Sequence, residues 1–256
     1  MGLSIRPLLC VMVVAFLTAC GGGGQGASGS SGSGSGGSSG SGGGGAGGTP
    51  VTGSGTYDVD ANGIPKFVAL DYIDLNKIYR ISKFRSGHGH DYWDAFENCR
   101  SMKHYYQPLG SVDWATVDIY APVNGTVEAV TPEWAGYQIR IRSQDYPAFS
   151  FILFHVNLSL VPNVGDAVTI GQHLGTHVGS QTTSDIAVRV NTPGGNKLVP
   201  FVSVMTDALF ANYQTRGLAT RDDAIITKEA RDADPLNCTG EAFGTSGTLE
   251  NWVVLN

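Results

Sequence analysis

Glycine divides this chain in two. Of its 36 glycines in 256 residues, 19 fall between positions 21 and 55 among serines, and Gly2 is the only other one before Thr56. Such a segment has too little apolar surface to offset its ordering entropy, so residues 21–55 are read as a coil without a fold. A Gly/Ser coil of that length spans roughly 30–35 Å r.m.s.. Residues 57–256 keep 16 glycines, an ordinary share, and are read as one domain large enough to bury a core unaided. Charge divides in the same way. Arg6 is the only charged side chain before Tyr57, which leaves 15 Lys+Arg against 22 Asp+Glu afterwards, a net charge of −7. The pattern excludes a collagen-like repeat. The acidic balance argues against binding nucleic acid through phosphate neutralisation.

Residues 1–19 read as a secretory signal: Arg6, then an apolar run from Leu8 to Leu17 that is too short to span ~30 Å of hydrocarbon as a helix. Leu17-Thr18-Ala19-Cys20 resembles the lipobox of bacterial lipoproteins, which implies that Cys20 is acylated and becomes the mature amino terminus. Residues 20–56 would then be a lipidated cysteine and its tether. Gly21 in place of Asp implies an outer-membrane anchor facing the periplasm. In that oxidising compartment Cys99 and Cys238 are the only cysteines left in the domain, and they are expected to pair, the alternative being two buried thiols. A bridge across a loop of about 140 residues is worth up to roughly 5 kcal/mol in the chain-entropy model.

From Val117 onward the pattern is mainly β. Val117–Ala121, Thr126–Val130, Tyr137–Arg142 and Ala148–Val156 read as strands, the third half-exposed because Ile139 and Ile141 alternate with Arg140 and Arg142, the fourth buried on both faces. Val164–Val168 and Gly171–Gly175 read as two short strands joined by tight turns. Asp185–Val190 is another strand, with 185, 187 and 189 on one face. Met205, Leu209, Phe210 and Tyr213 have helical spacing, and a second helix is expected around Asp222–Ala230.

Three pieces occur in one order: Ala121-Pro122-Val123-Asn124-Gly125-Thr126-Val127, then Phe154-His155-Val156-Asn157-Leu158, then Val164-Gly165-Asp166-Ala167-Val168 running on to Gly171-Gln172-His173-Leu174-Gly175. Together they resemble the lysostaphin/LytM-type zinc metallopeptidases, which cut peptide cross-links in peptidoglycan. The resemblance covers residues 85–191. It implies an antiparallel β-sandwich or barrel-sandwich hybrid, followed here by a helical carboxy-terminal extension over 192–256, and it implies zinc as cofactor. His90 and Asp94 stand at the spacing of the family's first two zinc ligands, and His155 at that of a histidine which orients water or polarises the scissile carbonyl. Such chemistry needs three protein ligands and one open position.

The family's last element is a strand H-x-H whose second histidine is the third ligand. In the corresponding register Asp185 falls on the first histidine and Ala187 on the ligand, so the family's own zinc site cannot close. Asp185 could substitute, and His88 with His90 also forms an H-x-H. Twenty-six residues lie between Asp94 and Ala121, among them Met102, Lys103 and His104, an insertion expected to cover or rebuild the cleft with the tail. Arg140 and Arg142 read as a solvated strand face. Three readings follow: a degenerate domain that binds peptidoglycan or envelope proteins without cutting; a metallopeptidase with a rearranged site using His90, Asp94, Asp185 and His88; or a structural surface domain.

Overall fold

The computed structural model describes residues 55–256. The signal segment, Cys20 and almost all of the tether lie outside the described residues. Thirteen strands follow in order: β1 (Ile78–Ser82), β2 (His104–Pro108), β3 (Asp118–Tyr120), β4 (Gly125–Pro132), β5 (Tyr137–Ser143), β6 (Phe149–Leu158), β7 (Ala167–Val168), β8 (His173–His177), β9 (Ser184–Thr192), β10 (Gly195–Val199), β11 (Cys238–Thr239), β12 (Ala242–Phe243) and β13 (Trp252–Val254). The main sheet runs β13-β1-β2-β9-β6-β5-β4-β7, with β10 on β9 and a branch in which β8 joins β3 to β6. Its pairings are antiparallel and the path stays open, so the fold is mainly β, as expected, but the sheet does not close on itself.

Period-two alternation sorts side chains to the two faces. Ile139 and Ile141 of β5, Phe149, Phe151 and Leu153 of β6, and Ile186, Val188 and Val190 of β9 enter the main core. The intervening residues Ile152, Phe154 and Ala187 join Phe84, Met102 and Leu198 in a smaller apolar cluster on the opposite face. This second face carries the site. The sheet centre is therefore apolar on both sides, and β6 is buried from Phe149 to Val156.

Several expected elements change. The Val164–Val168 and Gly171–Gly175 segments do not pair with each other: β7 joins β4, while β8 joins β3 and β6. Met205 does not continue into the helix Asp207–Gln214, because Thr206 caps that helix by accepting the Leu209 N–H. The helix expected at Asp222–Ala230 is split into a 3-10 turn, Arg221–Ala224, and a helix, Lys228–Ala233. Between them Ile226 donates to the Phe84 carbonyl, and Phe84 donates to Ala224, so backbone pairing to the domain replaces helical bonding. Strand β2 lies inside the insertion and inserts between β1 and β9. Cys99 and Cys238 are bonded, with Cα atoms 5.7 Å apart, which ties the insertion to the β11–β12 hairpin. Among the described residues no helix is long and apolar enough to cross a membrane.

Candidate functional site

On the second face lies a cavity of about 1050 Å³. Its walls include the segment His88–Asp94, Tyr105 from β2, Glu133 and Trp134 from the β4–β5 connection, His155 from β6, and Glu241 and Ala242 from the tail. Gln138, Arg140, Ile152, Phe154, Arg189 and Leu198 form its floor. The insertion and the tail thus both contribute to the cleft, and the disulfide joins the two.

The register of β2 on β9 explains the centre of the site. His104 pairs with Ile186 and Tyr105 with Asp185, and Lys103 immediately precedes the strand. Lys103 and Asp185 are fully buried and ion-paired to each other. The ammonium also lies 3.1 Å from His90 Nε2 and 4.1 Å from the centre of the Phe154 ring, with Tyr92 and Tyr105 close by. His90 Nδ1 is 2.9 Å from the Asp91 carbonyl, an acceptor, so Nδ1 carries the proton and Nε2 offers its lone pair to Lys103. Burial would lower the lysine's proton affinity, but the charge and hydrogen bond of Asp185 together with Tyr105 and Tyr92 outweigh it and raise the pKa.

His155 reaches this face through a bulge. Tyr137 pairs with Val156 and Ile139 with Leu153, so β6 has one extra residue between those pairs. His155 takes that extra place with a φ of 56°, in the left-handed region. Simple alternation would have sent it into the main core with Leu153. Glu133 Oε2 accepts the His155 backbone N–H at 3.0 Å and lies 3.1 Å from Nδ1, while Nε2 is 3.8 Å from Asp185 Oδ1. Burial alone would lower the pKa of His155. The Glu133 hydrogen bond and the Asp185 charge more than offset it and raise the pKa.

Asp94 sits in the same wall, with its oxygens engaged by backbone. Oδ1 accepts from Phe96 and Glu97 at 2.8 and 2.9 Å, and Oδ2 accepts from Leu198 at 2.8 Å. The zinc implied by the resemblance does not fit these residues. Ala187 supplies no donor, the free His90 lone pair faces an ammonium, and Asp185 is paired to that same ammonium. Among the described residues no cluster of three or more His, Cys, Asp or Glu side chains could hold a metal ion. His88 lines the cavity too, but packs against Tyr105 and Trp252, with Gly89 at a φ of 77° between it and His90, so this H-x-H is not an extended strand.

Sequence reasoning assigned no role to Lys103 or Glu133 and misplaced Arg140. The signal for Lys103 was Asp185 itself, a carboxylate on a strand otherwise read as buried, which needs a cation. Arg142 is a solvated strand residue, as expected, paired to Glu128. Arg140 instead lines the cavity with its Nε buried and without a hydrogen-bond partner.

No family model matches the chain, and no curated protein does. Among solved structures it is similar to a LytM-type protein from Ruminococcus gnavus (15% identity over 40% of this chain and 43% of that one, TM-score 0.32). It is also similar to a chain of the SpoIIQ–SpoIIIAH pore-forming complex (14% identity, 57% and 96% covered, TM-score 0.38). A third is lysostaphin (16% identity, 45% and 49% covered, TM-score 0.29). The chain spans less than half the length of the first and third of these.

Proposed function

We propose that this protein is an envelope lipoprotein whose LytM-type domain binds peptidoglycan, or an envelope protein associated with it, and holds its ligand without cutting peptide. The carrying observation is the ammonium of Lys103, which takes the His90 lone pair and the Asp185 charge. An ammonium in this place does not lower the pKa of a bound water as a zinc ion would. The cleft remains open and large, with Trp93 52% and Trp134 73% exposed along its wall, which suits retention of a ligand. The lipobox-like Leu17–Cys20 and the Gly/Ser tether support an anchored domain searching nearby wall from the periplasmic face of the outer membrane.

The test incubates the purified protein with intact sacculi, measuring both the protein retained and the fragments released. Retention without fragments is expected. Release of fragments that stops in the His90→Ala variant would establish a metallopeptidase with a rearranged site instead. Absence of retention together with absence of fragments would leave a structural surface domain. Membrane anchoring is read separately: Cys20→Ser should move the protein out of the membrane fraction.

A further inference from the structure

The cavity is lined by two arginines that the central cluster does not use, Arg140 and Arg189. Its carboxylates are already engaged: Asp185 by Lys103, Glu133 by His155, and Asp94 by three backbone N–H groups, while Asp91 Oδ1 accepts from Arg100 N–H. Glu241 stands at the mouth, 70% exposed and 3.8 Å from His90. On the floor the balance is reversed. Arg142 binds Glu128 Oε1 at 2.6 Å and Ser150 Oγ donates to Oε2 at 2.6 Å, so Arg189 reaches that same carboxylate only at 3.7 Å. Arg140, on the neighbouring strand, has no carboxylate paired with it among the described residues, and its Nε is buried without a partner. The positive charge of Arg140 is felt at Arg189, whose own pKa burial lowers first and Arg140 lowers further.

An unpartnered guanidinium donor removed from water is costly unless a ligand meets it, and its planar fork matches a carboxylate. Beside it lie Ile152, Phe154 and Leu198, an apolar bed for small side chains. We propose that Arg140, with Arg189 beside it, is the anchor for a ligand carboxylate, and that the cleft takes the free-acid end of a short peptide whose small side chains lie over Ile152, Phe154 and Leu198. The inference rests on the reading of the cleft as a peptide-holding site and names the group that it grips.

Two probes differ only at that group: N-acetyl-trialanine as the free acid and as its carboxamide. Each is titrated at millimolar concentration into the ¹⁵N-labelled protein, following backbone amides around the cleft and the Arg140 Nε–H resonance. The free acid should bind about tenfold more tightly than the amide, as expected of one charge-assisted bidentate contact, and should shift the Arg140 resonance. In Arg140→Gln that discrimination should vanish, whereas Lys66→Gln, which removes an exposed cation paired to Asp207 outside the cleft, should keep it. Arg140→Lys, which retains charge and loses the fork, should fall between. Equal binding of the two probes, no saturable shift with either, or unchanged discrimination in a folded Arg140→Gln protein would each overturn the proposal. Because sacculus retention is read independently, wall binding that persists without this discrimination would defeat the carboxylate anchor alone.

Discussion

Lys103 and Asp185 are a pair that neither residue could form with water, since both side chains are fully buried. Desolvation makes such a pair a poor source of net stability, yet removing one member leaves an uncompensated charge. Lys103→Met is therefore expected to destabilise the protein by about 3–5 kcal/mol, and Lys103→Met with Asp185→Leu to recover most of that loss. Denaturant unfolding of the two variants checks this. Losses that simply add would show that the pair is not coupled. A second residue-scale expectation concerns His104, whose Nδ1 bonds to the Ser82 carbonyl in a fully buried position, and whose pKa burial lowers from 6.5 to about 4. The unfolded chain takes up that proton below its ordinary pKa and the folded protein does not. The stabilising contribution is thus complete above pH 6.5 and is lost as pH falls toward 4. Relative to wild type, His104→Asn should lose about 3 kcal/mol less across that window in unfolding measured as a function of pH.

Among the elements, legibility followed geometry. Strands β4, β5, β6 and β9 were readable because alternation or unbroken apolar runs report burial directly. By contrast β1, β2 and β13 are short, and β2 pairs with β9 only through an insertion, a long-range partnership that no local pattern records. The bulge in β6 was hidden for a related reason. One extra residue reverses which face a side chain meets, so His155 was placed at the site by family likeness and not by periodicity. Two of the glycines that carried that likeness have a plain steric role: a Cβ at Gly125 would lie 2.1 Å from the Arg142 carbonyl oxygen, and one at Gly175 would lie 2.1 Å from that of Asn157. Gly175→Ala must push β8 off β6 and should cost about 1–3 kcal/mol or more, while Gly110→Ala, with open space around it, should be near neutral. Thermal unfolding of both variants checks the contrast.

At the scale of the whole molecule, the acidic domain keeps its central cation inside. The disulfide Cys99–Cys238 holds the insertion against the tail, and the Asp91 N–H donates to the Glu241 carbonyl at 2.7 Å, so the cleft wall is built from segments far apart in sequence. That enclosure was foreseeable only in outline. That Ala187 offers no donor atom was visible in the sequence, whereas the pairing of Asp185 with a lysine 82 positions earlier became visible only once β2 lay on β9. The chemistry of the cleft turns on whether the His90 lone pair is held by Lys103 or left for a metal. Zinc content of the purified protein, measured after incubation with excess zinc and removal of unbound ion, decides this most directly. Far less than one zinc per chain is expected, unchanged in His90→Ala. One zinc per chain in the wild type, lost in His90→Ala, would contradict it.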